Sequence, residues 1–233
     1  MQKAYEYIEG KRAIIEALDA NCKIKRIFCM SKPDKKILDI VKNIEYCDKQ
    51  KLDSMSHHGS HQGIIAEVES FRYASMNDIP DNDRSLVVVL DHIVDAGNLG
   101  AIIRSADAVG ADAVIIPKQR AASITAATYK SSAGAVFNIP VIQVANLNQA
   151  LEQLKSRGYW SYAASEHTDT LIWDADLKGK VALIMGAEHD GVSPLVLKNS
   201  DFVVKLPIDG KVESLNVAQA ATACMYEWAR QNA

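Results

Sequence analysis

The feature that most limits what this 233-residue chain can fold into is a rhythm in its last two thirds. Six short apolar runs recur there: Leu86–Leu90, Ala113–Ile116, Ile139–Val144, Tyr159–Ala163, Val181–Met185 and Phe202–Leu206. Each has the length of a strand, and helical patterns fill the intervals. Strands spaced by helices imply βαβ units and an α/β fold with a mainly parallel sheet covered by helices on both faces. The last stretch, Val217–Gln231, reads as an amphipathic helix with Val217, Ala220, Ala221, Cys224, Met225 and Trp228 on one face. Such a helix packs on the sheet or on a second subunit.

The first 70 residues follow a different plan. Ile24–Met30 reads as a strand, Pro33 opens a helical pattern through Ile37, Leu38, Ile40 and Val41, and His61-Gln62-Gly63 leads into a second strand at Ile64–Val68. Residues 74–85 are polar, acidic and proline-bearing, which is linker chemistry. The expected organisation is therefore a small domain over 1–72, a linker over 73–85 and a larger domain over 86–233. There is no internal repeat and no low-complexity segment.

Hydrophobic residues make up 48% and charged residues 24%, the balance of a soluble globular protein. No apolar run approaches the roughly 18 residues that cross a bilayer, and the first residues have no apolar signal core. Cys22, Cys29, Cys47 and Cys224 are scattered without a C-x-x-C pair, which suggests reduced thiols and a cytoplasmic protein. His57 and His58 lack companion ligands at metal spacing, so no metal is expected.

Ligands of open parallel sheets bind at the carboxyl ends of strands, which directs attention to the loops after residues 90, 185 and 206. In the first, Asp91-His92-Ile93-Val94-Asp95-Ala96-Gly97-Asn98-Leu99-Gly100, a strand exit leads into a helix beginning near Asn98. Asn98 is a natural N-cap, and the free N–H groups behind it can hold an anion. Arg104 follows within two turns; taken alone, the pair reads as a cap and a surface arginine. The second loop, Gly186-Ala187-Glu188-His189-Asp190-Gly191, combines small residues that admit a ligand close to the backbone with one carboxylate. No G-x-G-x-x-G occurs anywhere, so neither a dinucleotide site nor a glycine-rich Rossmann methyltransferase loop is supported. In the third, Asn216 and Gln219 have the spacing of a capping box, while Ser214-x-Asn216 can also hold a hydroxyl or a ligand carboxylate. These two roles are compatible.

Taken together, Asn98-x-Gly100 with Arg104, Gly186-x-Glu188-x-x-Gly191, and Gly210-x-Val212-x-Ser214-Leu215-Asn216-Val217 resemble, in order, the three signature motifs of the SpoU/TrmH family of RNA 2′-O-ribose methyltransferases in the SPOUT superfamily. Pro117-Lys118 and Lys130-Ser131-Ser132-Ala133-Gly134-Ala135 match further family stretches. The resemblance covers residues 86–230. Residues 1–70, with Gly10 and His61-Gln62-Gly63, are similar to the L30e-like RNA-binding domain of the branch that methylates a 23S rRNA guanosine.

That resemblance implies S-adenosylmethionine as cofactor, contacted by Gly186, Leu206, Ile208 and Leu215 largely through the backbone. It implies a catalytic and ribose-facing set of Arg104, Asn98, Glu188, Ser214 and Asn216. It also implies a homodimer with the active site near the subunit interface, and a C-terminal trefoil knot, which chain physics alone argues against because knots are nearly absent from proteins. The expected partner is RNA, ribosomal rather than transfer RNA. A tRNA 2′-O-methyltransferase and a non-catalytic RNA-binding relative are the alternatives.

In the family the counterpart of Arg104 is assigned as the base; a guanidinium is always protonated in proteins, so holding a phosphate or a developing oxyanion is physically easier. The net charge of −3 does not advertise RNA binding: residues 1–70 carry 12 Lys and Arg against 11 Asp and Glu, the rest 14 against 18. Local cations must then meet the phosphates, the candidates being Arg12, Lys25, Arg26, His61, Gln62, Lys118 and Arg120. Three positions depart from the family pattern: Ala96 for a common proline, His189 for a glycine and Ala218 for a serine. None removes a member of the catalytic set, so an active enzyme is expected.

Overall fold

A computed structural model describes residues 5–19, 22–56, 61–188 and 190–233. His57, His58 and His189 lie outside the described residues. The chain runs β1 (Tyr5–Glu9), α1 (Lys11–Asp19), β2 (Ile24–Cys29), α2 (Lys35–Ile40), β3 (Ile44–Tyr46), α3 (Lys49–Met55) and β4 (Ile64–Glu69). It continues with β5 (Ser85–Asp91), α4 (Ala96–Ala108), β6 (Ala113–Pro117), α5 (Ala126–Ser131), β7 (Val141–Val144), α6 (Leu147–Ser156) and β8 (Trp160–Ala164). β9 (Lys180–Gly186), α7 (Pro194–Asn199), β10 (Phe202–Val204) and α8 (Val217–Gln231) complete it.

The six expected strands of the larger unit form one sheet in the order β10-β8-β9-β5-β6-β7, and every neighbouring pair is parallel. Both faces are covered. Leu86, Val88 and Leu90 of β5 join a core with Leu99, Ile102 and Ile103 of α4 and Met225 and Trp228 of α8. Val87 and Val89, on alternate positions, pack with Leu147, Leu151 and Leu154 of α6 and Val196 of α7. A strand buried on both sides has no reason to alternate in polarity, which is why β5 is apolar from end to end. Boundaries differ from the sequence expectation by a residue or two. Phe202–Leu206 stops at Val204, for example, because Leu206 already belongs to the loop that turns toward the site.

Topology places the site. From β5 the chain steps outward through β6 and β7, then returns to build β8 on the other side of β5, and β9 fills the place between. β5 and β9 therefore lie side by side at the point where the winding direction reverses, paired from Ser85↔Lys180 to Asp91↔Gly186. Their exits emerge together at the carboxyl edge, where α/β sheets bind ligands.

The first 70 residues form a separate sheet in the order β1-β4-β2-β3, with β2 and β3 parallel and the other pairs antiparallel. Ile14, Ala17 and Leu18 of α1 belong to the same apolar cluster as Tyr129 of α5, so the two sheets share a core. The polar stretch between them is not loose chain. Ala74 N–H donates to Val141 O at 2.8 Å, Ile79 is buried, and the Arg157 guanidinium donates to the carbonyls of Met76 and Ile79 at 2.9 and 2.7 Å. Polar composition with a single proline marks a segment without its own core, and here an arginine roughly eighty residues further on anchors it. Among the described residues no helix is long and apolar enough to cross a membrane, and the four cysteines are free thiols, three of them buried.

Candidate active site

The helix after β5 starts earlier than its sequence suggests. Asp95, not Asn98, is the N-cap of α4, its carboxyl oxygen accepting the Asn98 N–H at 2.7 Å. Both residue types cap well, and Asp95 takes the role because it stands three residues ahead of the first N–H it can reach. The consequence is chemical: the Asn98 side chain is released from capping and turns to the neighbouring loop. Its Nδ2 donates to Glu188 Oε1 at 3.0 Å.

The loop after β9 folds back tightly. Paired backbone bonds of 3.0 Å join Ala187 and Gly191, leaving Glu188 near the tip. Gly186 makes that return possible: a Cβ there would lie 2.0 Å from the Gly191 carbonyl carbon and 2.1 Å from Val192 N. From the third loop, Asn216 Nδ2 lies 2.7 Å from Glu188 Oε1 and 3.0 Å from Asn98 Oδ1, while Asn216 Oδ1 accepts the Ala218 N–H at 2.9 Å and caps α8. Asn216 thus fills the capping and the site-facing role at once. Three loops, separated by as many as 118 residues in sequence, meet in one hydrogen-bonded cluster of two amides and a carboxyl group. Glu188 Oε1 takes both amide donors, and Oε2 takes none from the described residues.

Beside this cluster lies a cavity of about 620 Å³. It brings together Gly186, Leu206, Ile208 and Leu215, and also Glu188, Ser214 and Asn216. The exit of β8 adds Ser165, Glu166 and His167, with Lys205 from the end of β10. Sequence reasoning did not single these four out, because the β8 exit has no glycine to mark it. Its position at a strand's carboxyl end was the available signal.

Arg104 is not drawn into the cluster. Six residues beyond Asn98 it sits about 9 Å further along the axis and about 240° round it, exposed and without a hydrogen-bond or ion-pair partner among the described residues. Gly100 serves packing. A Cβ there would meet Ser131 Oγ at 1.9 Å and Thr128 O at 2.8 Å, so the residue lets α5 close on α4.

The candidate RNA contacts divide. Lys118 and Arg120 are exposed at the exit of β6, on the same edge of the sheet as the cluster, and Ala122 N–H ties that loop to Ile93 O at 2.7 Å. Arg12 on α1 and Gln62 ahead of β4 are exposed. Lys25 caps the Tyr5 ring at 3.6 Å, and Arg26 pairs with Glu45 at 3.0 Å. His61 departs from expectation. It is 6% exposed, its Nε2 meets Asp53 at 2.9 Å and its Nδ1 accepts the Gly63 N–H at 3.0 Å, so it holds the β4 entry and has no free edge for RNA. Among the described residues no group of three metal-type ligands occurs.

The Asn216 double role gives a direct expectation. Asn216→Asp keeps the oxygen that caps α8, so stability should stay within about 0.5 kcal/mol of the parent. It also replaces the donor to Glu188 by a like charge, and activity should fall by at least about ten-fold. Thermal unfolding and the rate of the methyl transfer that the motif resemblance implies, measured on the same preparation, check both; a fall in stability matching the fall in rate would sink the split.

A doubly covered parallel sheet, a tightly returned loop at its switch point and this polar cluster define the class. Residues 85–226 match the SpoU rRNA Methylase family and residues 7–74 match the family described as RNA 2′-O ribose methyltransferase substrate binding. The chain belongs to the SpoU rRNA methylase family, and the cofactor of that family is S-adenosylmethionine. It is 37% identical to YacO of Bacillus subtilis, grouped with TrmH family tRNA/rRNA methyltransferases, over 97% of this chain and 96% of that one. It is 34% identical to the Escherichia coli 23S rRNA (guanosine-2′-O-)-methyltransferase RlmB, over 97% of this chain and 98% of that one. The crystal structure of the SpoU methyltransferase AviRb of Streptomyces viridochromogenes with AdoMet superposes with a TM-score of 0.76 at 27% identity, covering 98% of this chain and 90% of that one.

The cavity suits such a cofactor. Its volume is that of a small-molecule site. The buried backbone at Gly186 and the apolar Leu206, Ile208 and Leu215 suit an adenosine, and Glu188, Glu166 and Lys205 offer polar partners at the rim.

Proposed function

We propose that this chain methylates the ribose 2′-oxygen of a guanosine in 23S ribosomal RNA. The observation that carries the reading is the Asn98–Glu188–Asn216 cluster standing at the mouth of a cavity lined by Gly186, Leu206, Ile208 and Leu215. Similarity to RlmB proteins along nearly the full length supports the ribosomal target. Residues 1–72 then serve as an L30e-like RNA-binding domain, 73–85 as the connection and 86–233 as the catalytic domain, knotted as in the SPOUT superfamily. The working form is a cytoplasmic homodimer with the site near the subunit interface.

S-adenosylmethionine, when bound, supplies an electrophilic methyl group on a sulfonium. The chain's task is to align a ribose oxygen with it and to manage the oxygen's proton and charge. Asn98 and Asn216 fix Glu188 through Oε1, leaving Oε2 to accept a hydrogen bond from the 2′-hydroxyl and to take its proton as the oxygen is methylated. Ser214, on the same rim, contacts the ribose, and Arg104 neutralises an adjacent phosphate or the developing charge on oxygen. Lys118 and Arg120, with Arg12, Lys25, Arg26 and Gln62 of the small domain, follow the RNA backbone.

Mapping 2′-O-methyl groups in ribosomal and transfer RNA from a strain lacking the gene tests this directly. One 23S guanosine is expected to lose its methyl group, and the purified chain should restore it from S-adenosylmethionine. A loss confined to tRNA would overturn the ribosomal target. A chain that binds no S-adenosylmethionine would overturn the enzymatic reading in favour of a non-catalytic RNA-binding protein.

A further inference from the structure

Asp91 is the last residue of β5 and is wholly buried, at 0% exposure. A carboxyl group cut off from water must have its oxygens partnered. Here Oδ1 contacts His92 Nδ1, and Oδ2 accepts the backbone N–H of Ser193 at 2.7 Å. Ser193 lies two residues past the turn that carries Glu188. That turn leaves β9 at Gly186, the register partner of Asp91, closes between Ala187 and Gly191, and returns directly over Gly186. The Asp91–Ser193 bond therefore fastens the return limb to the end of the very strand whose exit leads to Asn98.

We propose that Asp91 is a positioning residue: by holding Ser193 it sets where Glu188 stands relative to Asn98 and Asn216, without itself touching substrate. This rests on the reading of Glu188 given above. A buried hydrogen-bonded carboxyl group aligned on a functional loop is the usual way a fold removes slack from a reactive constellation. Asn98 and Asn216 hold the carboxyl group at the tip, and among the described residues the backbone bonds of the turn run only between Ala187 and Gly191, so the Asp91–Ser193 bond is what ties its return limb to β5; misplacement by about 1 Å costs up to about 100-fold in rate.

Ser193→Pro deletes the N–H donor together with a hydroxyl that makes no cap bond to α7. The residue has φ −59°, ψ 145°, which a proline adopts. The measurement is a single-turnover methyl-transfer rate at saturating S-adenosylmethionine, on ribosomal RNA from a strain lacking the gene, with the full chain. Ser193→Pro is expected to slow transfer about ten-fold in the parent chain but by less than about two-fold in a Glu188→Ala background, since a positioning bond has nothing left to position. Asp91→Ala removes the acceptor of the same bond along with the His92 contact and should show the same dependence on Glu188, so either variant carries the test if the other does not fold. Equal losses in both backgrounds, or no loss in the parent, overturns the assignment while leaving the reading of the site intact. A parent chain that transfers no methyl group, or a Glu188→Ala chain as fast as the parent, overturns that reading and the Asp91 role with it.

Discussion

Arg104→Ala is expected to lower the methyl-transfer rate by roughly 10²–10³-fold, the loss that follows removal of a group stabilising developing oxyanion charge. Affinity for S-adenosylmethionine should stay within about three-fold, because in the proposed role Arg104 acts on the RNA and not on the cofactor. Two features of the chain separate these quantities. Arg104 does not line the cavity, and its side chain has no partner among the described residues that its loss would strand. Stability should accordingly move by no more than about 0.5 kcal/mol, the range of exposed positions away from packing features. Calorimetric titration of the cofactor and a rate measurement on RNA test the pair of expectations. Arg104→Lys sharpens the result: it keeps the charge but loses the planar fork that grips phosphate oxygens in pairs, so an intermediate rate is expected. Cofactor affinity that falls as far as the rate would sink the assignment.

Much of the sheet is visible in the sequence for a physical reason. A parallel strand covered on both faces must be apolar at every position, and Leu86–Leu90 is buried without exception. The site is a different matter. No local pattern relates Asn98, Glu188 and Asn216: the parallel sheet puts their loops on one edge, and the reversal of winding between β7 and β8 makes β5 and β9 neighbours there. Similarity to a family grouped these residues, and periodicity did not. Where local rules were applied to the loops they met two equally good candidates: Asp95 and Asn98 are both favourable caps, and the choice between them decides whether Asn98 is a structural or a site-facing residue.

His61 shows the opposite difficulty. A histidine ahead of a strand reads as an exposed contact, yet Asp53, eight residues earlier on α3, turns it inward and uses both ring nitrogens. The acidic stretch before β5 reads as a free linker because its anchor, Arg157, lies at the end of the third βα unit that follows. In each case the missing information is a tertiary partner, which composition and spacing do not encode.

The three glycines of the second and third motifs differ in what they do, and that difference has the second large consequence. At Gly186 an added methyl group would lie 2.0 Å from the Gly191 carbonyl carbon and 2.3 Å from its oxygen. These are backbone atoms of a turn closed by two hydrogen bonds, so no side-chain rotation can make room. Gly186→Ala is expected to cost about 3 kcal/mol, the upper range of overpacking, and to weaken S-adenosylmethionine binding at least about ten-fold as the cavity wall shifts. Gly191 has open space around its Cβ position but a φ of +66°, so alanine there should cost about 1 kcal/mol through backbone strain alone. Gly210 has neither restriction, and Gly210→Ala should be close to neutral. The expected order, Gly186 far above Gly191 and Gly191 above Gly210, is read by thermal unfolding with and without the cofactor. If Gly186→Ala unfolds at the parent temperature and binds the cofactor normally, the turn can slide off β9 at no cost. The close return would then no longer explain why a glycine stands at the end of that strand.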